Sequence, residues 1–203
     1  MVKEHLEARG IHDPRVLEAI RSTPRHEFVP AELQAHAYED RPLPIGYQQT
    51  ISQPYIVGLM TQLLETKPQE IVLEIGTGSG YQAAILSKLA KHVYTIEIVP
   101  ELAASSARVF QRTGCKNITV RHGDGYQGWP EHAPFDRIIL TAAPPEIPQA
   151  LIDQLKPGGR LVAPEGGREQ HLMVIEKSKD GKISKRSVIP VIFVPMVRGK
   201  SDR

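Results

Sequence analysis

Val72-Leu73-Glu74-Ile75-Gly76-Thr77-Gly78-Ser79-Gly80 is the stretch that decides the fold. The apolar run at 71–75 reads as a strand and the pattern at 81–91 as a helix, so three alternating glycines occupy a strand-to-helix turn. Glycine there permits positive φ and removes the Cβ atoms that hold a ligand away from the backbone. The dinucleotide fingerprint GxGxxG requires glycine at 81, where Tyr81 stands. Downstream the alternation repeats: strand 93–97, helix 100–113, strand 118–121, a near-continuous apolar strand at 135–141, helix 148–155, a turn at Lys156-Pro157-Gly158-Gly159 and strand 160–163. Strands alternating with helices predict an α/β fold, a doubly wound, Rossmann-like sheet that is mostly parallel. Strands at 172–176 and 188–194 flank Asp180-Gly181, a hairpin signal, which adds an antiparallel C-terminal hairpin.

Upstream, Asp13-Pro14 opens a helix whose Val16, Leu17 and Ile20 share a face, and Thr23-Pro24 ends it. Residues 25–51 show little periodicity, apart from a turn of helix at 31–37, and read as irregular; segments of that length are usually functional. After Pro54, Ile56, Leu59, Met60, Leu63 and Leu64 recur at helical spacing, with Ser52 just before them. The expected organisation is one domain over 1–203, with 1–53 an N-terminal helical and irregular extension that contributes to a substrate site and 54–203 a cofactor-binding core.

Composition narrows the class. With 203 residues, 40% hydrophobic and 24% charged, the chain can bury a full core, and disorder or a membrane span is a poor reading. A net charge of +2 lacks the electrostatic footprint of a dedicated nucleic-acid binder. Cys115 is the only cysteine, and Met1-Val2-Lys3-Glu4-His5 lacks the apolar core of a signal peptide, so a cytoplasmic protein is expected; the sequence does not give the oligomeric state, and a monomer is the favoured expectation. The eight histidines form no HxxxH or HxxEH pair, which argues against a metal site. Trp129 beside Pro130 reads as packing, and Arg198, Lys200 and Arg203 as a solvated basic tail.

With an acid two residues before its first glycine, the ExGxGxG pattern of Glu74, Gly76, Gly78 and Gly80 resembles motif I of class I S-adenosylmethionine-dependent methyltransferases. A carboxylate near the loop suits a cationic sulfonium where it would repel a pyrophosphate. Glu97, 21 positions after Gly76, is placed at a strand end to accept from a ribose diol, and Asp124 in His122-Gly123-Asp124-Gly125 to take an adenine amino group. Further motifs are similar to those of the protein-L-isoaspartate O-methyltransferase family. They are Gly10-Ile11-His12-Asp13, Pro24-Arg25-His26-Glu27-Phe28-Val29-Pro30, Gln49-Thr50-Ile51-Ser52-Gln53-Pro54, Phe135-Asp136-Arg137-Ile138-Ile139, Thr141-Ala142-Ala143-Pro144 and Phe193-Val194-Pro195. The Thr50-Ile51-Ser52 element is the specific one, since generic methyltransferases share only the glycine loop. Tyr126, Glu165-Gly166 and Met196 depart from the family pattern and bear on substrate preference.

The resemblance implies methyl transfer from S-adenosyl-L-methionine to the α-carboxylate of isoaspartyl residues in damaged peptides and proteins, a repair reaction without a nucleic-acid or membrane partner. It implies Ser52 as the active-site residue. Glu74, Gly76, Thr77, Gly78, Ser79, Gly80, Glu97, Asp124 and Gly125 would serve the cofactor, and Thr50, Ile51, Gln53, Thr141 and Ala142 the substrate. On spacing alone Ser52 serves equally as a helix cap, and the helix end beside it offers favourable potential to an anion. Residues 42–52 and the tail at 192–196 are expected to flank an extended groove. Another class I methyltransferase with a small-molecule or RNA acceptor, or a non-catalytic cofactor-binding module, is the alternative.

Overall fold

The period-2 alternation of the strands sorts the core into two layers. Val72, Ile139, Val162 and Val174 point to one face of the sheet, and their neighbours Leu73, Ile138, Leu161 and Ile175 to the other. The protein is described here by a computed structural model over residues 1–199; Lys200 and Arg203 of the expected basic tail lie outside the described residues. The strands are β1 (Leu43–Gly46), β2 (Gln49–Ile51), β3 (Ile71–Ile75), β4 (His92–Glu97), β5 (Ile118–His122), β6 (Phe135–Leu140), β7 (Leu155–Gly166), β8 (Gln170–Lys177) and β9 (Ile183–Val191). The α-helices are α1 (Pro14–Arg21), α2 (Pro54–Leu64), α3 (Tyr81–Ser87), α4 (Pro100–Thr113) and α5 (Gln149–Asp153).

Seven strands form one sheet in the order β5-β4-β3-β6-β7-β8-β9, parallel from β5 to β7 and antiparallel at β8 and β9. The chain leaves β3 for β4 and β5, then returns to place β6 on the other side of β3. This reversal opens a crevice beyond the carboxyl ends of β3 and β6, where ligands of such sheets bind. The first core layer collects buried residues of α1, α2 and α3 together with Leu6, Ile11, Phe28 and Ile51, so the N-terminal segment packs into the same cluster as the sheet. The second collects Leu151 of α5 and Trp129, which meets Tyr94 edge-on and carries Arg121 on its face, in keeping with the packing role read from the sequence.

Four expectations are corrected. The segment read as irregular contains the β1–β2 hairpin, besides the expected short helix at Ala31–His36. Helix α3 stops at Ser87 because the Asn117 Nδ2 group donates to the carbonyls of Ser87, Ala90 and Lys91 at 2.9, 3.2 and 3.3 Å, supplanting the helical bonds there. Lys156 to Gly159 do not precede a strand but bulge within β7, whose pairing with β6 jumps from Phe135↔Leu155 to Arg137↔Arg160. The last strand pairs over Ile183–Val191, five residues earlier than expected at its start, because its register is set by β8. Among the described residues no helix is long and apolar enough to cross a membrane.

Candidate functional site

The glycine loop sits at the crevice and is pinned from three sides. Gly76 donates to the Ile96 carbonyl at 2.8 Å, Thr141 donates its N–H to the Ile75 carbonyl at 2.9 Å, and the Thr141 hydroxyl reaches the Gly76 carbonyl at 2.5 Å. At Gly76, φ is +94° and a Cβ would stand 2.4 Å from that hydroxyl, so only glycine brings the loop this close to β6. Gly80 is φ +88° and faces the Phe110 ring, which a Cβ would meet at 2.7 Å; it sets the start of α3 and lies off the cavity walls.

Three adjoining cavities follow. A cleft with about 660 Å³ of unfilled volume is lined by Gly76, Gly78, Glu97, Gly125, Thr141 and Ala142. A neck of about 430 Å³ is lined by Thr50, Ile51, Ser52, Thr77, Ser79 and Thr141. A groove of about 1350 Å³ takes Thr50, Ser52, Gln53 and Thr141 together with residues 190–194. All three are open to solvent, and the groove is the largest of them. Thr50 and Thr141 line all three.

Glu97 ends β4 with both oxygens on backbone amides: Oε2 accepts from Gly78 N–H at 2.7 Å and Oε1 from Val99 N–H at 2.9 Å. Each oxygen retains acceptor capacity beyond these bonds, and the residue lines the cleft. Glu74 is placed differently from the expectation. It does not line the cleft but is fully buried in the sheet, where burial pushes its carboxyl up to about 8 against a hydrogen bond donated by Thr95 Oγ1 at 2.5 Å. The Thr77 hydroxyl in turn lies 2.6 Å from Thr95 Oγ1, so Glu74 reaches the loop only through two threonine hydroxyls. Thr95 was missed by sequence reasoning, although a polar residue inside an apolar strand was a signal. Asp124 is also off the cleft wall: Oδ1 accepts from Tyr126 N–H at 2.8 Å and Oδ2 from Gly199 N–H at 3.1 Å.

Ser52 is not the helix cap. Gln53 holds that position without a side-chain bond to the helix backbone, and α2 begins at Pro54. The cap is supplied from a distance by Asp40, which accepts from Tyr55 N–H at 2.9 Å and from Gln53 Nε2 at 2.8 Å and is itself paired with Arg9 at 2.7 Å. A carboxylate thus already occupies the end of α2, which corrects the expectation that this helix end serves an incoming anion. The Ser52 hydroxyl makes no hydrogen bond among the described residues, while its carbonyl is held by Arg25 Nη2 at 2.7 Å.

The tail serves both sides. Val194 and Met196 bond Ala143 on either side at 2.9 and 2.8 Å, and residues 194–197 close the cleft while 190–194 edge the groove. Gln49, Ile96, Ile98 and Val99 complete the cleft without a sequence signal of their own beyond adjacency to Thr50 and Glu97. No group of three or more His, Cys, Asp or Glu side chains among the described residues is arranged to hold a metal.

Residues 1–201 match the protein-L-isoaspartate(D-aspartate) O-methyltransferase family. A protein-L-isoaspartate O-methyltransferase 2 of Syntrophobacter fumaroxidans is 57% identical over 189 residues, covering 92% of this chain and 76% of that protein. The Gloeobacter violaceus protein-L-isoaspartate O-methyltransferase is 52% identical over 201 residues, 98% of each chain. Among solved structures, a protein-L-isoaspartate O-methyltransferase superposes with TM-score 0.86 at 28% identity over 96% of this chain, which spans 65% of that one. A Plasmodium falciparum protein assigned to the same activity and solved with S-adenosyl-L-homocysteine gives 0.84 at 26% identity, covering 98% and 97%.

Proposed function

The chain belongs to the protein-L-isoaspartate(D-aspartate) O-methyltransferase family, and on that premise we propose that it methylates the free α-carboxylate of L-isoaspartyl residues in damaged polypeptides, with Ser52 orienting the acceptor. One observation carries this: the free Ser52 hydroxyl stands where the neck meets the groove, and Thr50 and Thr141 join both to the cleft. A donor in the cleft and an acceptor in the groove would therefore meet at the neck.

The cleft suits S-adenosyl-L-methionine by its donor set. Gly76, Gly78 and Gly125 leave backbone bare, the Glu97 carboxylate accepts ribose hydroxyls, and Thr141 and Ala142 close the far wall. Ser79 and Gly80 shape the loop, Thr77 carries the link to Glu74, and Asp124 orders the turn beside Gly125. When bound, S-adenosyl-L-methionine supplies an electrophilic methyl on a sulfonium. An α-carboxylate ionises near pH 3.3 to 3.7, so the acceptor is already an anion at neutral pH and needs no base. Among the described residues, none of those lining the neck or the groove is a His, Lys, Asp or Glu. The residues align the reactants and exclude water, for which effective molarities are large. Ser52 donates to one carboxylate oxygen, and Ile51 and Gln53 fix its backbone, Ile51 in the core and Gln53 on Asp40. The methyl ester then closes to a succinimide when the next main-chain nitrogen displaces methanol.

A cytoplasmic location with neither nucleic-acid nor membrane partner completes the proposal, supported by the near-neutral charge and the lone Cys115. The test is labelled methyl donor with paired peptides that differ only in Asp against isoAsp. Base-labile label on the isoAsp peptide alone is the expected result, and equal or absent label on both overturns the assignment. Ser52→Ala should lower turnover roughly 10- to 100-fold, the worth of one hydrogen bond to a charged group, with little change in melting temperature. Wild-type turnover in that variant removes Ser52 from the mechanism.

A further inference from the structure

Arg25 is the largest fully buried side chain among the described residues, with no exposed surface. Its Nε donates to the Ala37 carbonyl at 2.8 Å and its Nη2 to the Ser52 carbonyl at 2.7 Å, and the guanidinium lies 4.9 Å from the centre of the Tyr81 ring. No carboxylate among the described residues comes within ion-pair distance of it. The acid that acts on it is Asp40, which is already engaged by Arg9, Gln53 and the Tyr55 amide. Arg9, Asp40 and Arg25 together therefore leave one net positive charge, and it is buried. Burial lowers Arg25 to about 10, which keeps it charged at neutral pH. Holding two carbonyls does not require a cation, and burying an unpaired one is costly.

The surroundings of Ser52 give that charge a use. Among the described residues none that lines the neck or the groove is cationic, yet the acceptor that the groove is read to hold is an anion. The end of α2, the other source of positive potential, is taken by Asp40. We propose, resting on the assignment of Ser52 to the acceptor site, that Arg25 is a specificity-determining residue whose buried charge selects an ionised acceptor over a neutral one. Stacking the 2.7 Å bond to the Ser52 carbonyl on covalent and hydrogen-bond lengths places an acceptor on Ser52 Oγ roughly 8 to 10 Å from the guanidinium carbon. A unit charge at that range in an effective dielectric of about 20 favours an anion about 10- to 30-fold. The same charge gives no hold on the neutral methyl ester, so it discriminates substrate from product. It does not by itself tell isoaspartyl from aspartyl, which is left to the shape of the groove.

The test compares an isoaspartyl peptide with its α-carboxamide counterpart, each titrated into the enzyme saturated with S-adenosyl-L-homocysteine. The wild type should favour the carboxylate. Arg25→Met and Arg25→Gln should cut that preference about tenfold by weakening the carboxylate peptide alone, and Arg25→Lys, which keeps the charge, should retain most of it. Should the Met variant fail to fold, the Gln and Lys pair carries the comparison, with S-adenosyl-L-homocysteine affinity as the check on folding. Equal weakening of both peptides, an unchanged ratio, or a Lys variant as indiscriminate as Gln overturns the proposal. Failure of the Ser52 assignment reads out separately, as wild-type turnover in Ser52→Ala, and leaves the Arg25 ratio to be judged alone.

Discussion

Replacing Glu97 by Gln separates a cofactor contact from a loop strut. Both carboxylate oxygens accept backbone N–H groups, from Gly78 at 2.7 Å and Val99 at 2.9 Å, and the residue is 5% exposed. A Gln of the same shape keeps one acceptor oxygen, but its NH₂ must face the other N–H whichever way the amide turns. One bond to an anion loses its charge and the other becomes a donor–donor clash. At about 1.5–3 kcal/mol for a hydrogen bond to a charged group, the combined cost is roughly 2–4 kcal/mol. For a chain of this size each kcal/mol moves Tm by about 2–4 °C, so thermal melts should show a fall of roughly 5–15 °C. The fold should survive at 25 °C, where calorimetry with S-adenosyl-L-homocysteine measures the second effect. Loss of the charged acceptor for ribose hydroxyls should raise Kd about 10- to 100-fold. A variant with lowered Tm whose Kd stays within twofold of wild type would refute the ribose contact and reduce Glu97 to a strut for Gly78.

Two further outcomes are expected. Glu74, raised from 4.5 to about 8 by burial, binds its proton more tightly when folded; its contribution is complete below about pH 4.5 and is lost as pH rises toward 8, by up to about 1.4 kcal/mol per unit. Glu74→Gln should therefore gain on the wild type in Tm between pH 5 and pH 8, and a constant offset across that range refutes the assignment. Thr141→Val removes the hydroxyl that serves the Gly76 carbonyl at 2.5 Å and the Ile75 carbonyl at 3.1 Å; an unpaired carbonyl costs about 1–3 kcal/mol, and kcat/KM should fall about tenfold because the residue walls all three cavities. Unchanged Tm and kcat/KM together would count against that role.

The strand, glycine turn and helix of the proposed cofactor half were legible because their signals are local. Nine consecutive residues encode the strand, the turn and the helix start, and Glu97 follows from the next strand's length. The acceptor half depends on contacts that no window of sequence contains. Asp40 caps α2 from 15 residues away and meets Arg9 across 31, and Arg25 reaches Ala37 and Ser52 across 12 and 27. The β1–β2 hairpin was invisible for a related reason. Its turn places Tyr47 and Gln48 at φ +52° and +57°, without the Asn-Gly or Asp-Gly that usually marks such a turn. That conformation is held from outside: Leu43 and Ile51 are buried in the core, and Ile45 packs against it. Glu74 was misplaced because the motif fixes its position in sequence but not which face of β3 its side chain takes.

The distribution of charge around the neck follows from the reaction itself. A sulfonium and a carboxylate neutralise one another as the methyl moves, so a counter-charge in direct contact with either would stabilise the ground state more than the transition state. An arginine about 3 Å from the acceptor, at an effective dielectric of about 20, would hold it by roughly 5 kcal/mol, most of which would be lost as the carboxylate is esterified. At roughly 8 Å the same charge contributes about 2 kcal/mol, enough to recruit an anion and far less to surrender. With the acceptor placed on Ser52 as proposed, the charges are arranged in that sense: a neutral hydroxyl at the proposed contact, the cation behind the Ser52 carbonyl, and the acid Glu97 in the cleft, on the Gly78 and Val99 amides. Moving the positive charge forward, by introducing Lys at Thr50 on the neck wall, should then tighten peptide binding while slowing the methyl-transfer step in single-turnover measurements; faster transfer in that variant would overturn the account.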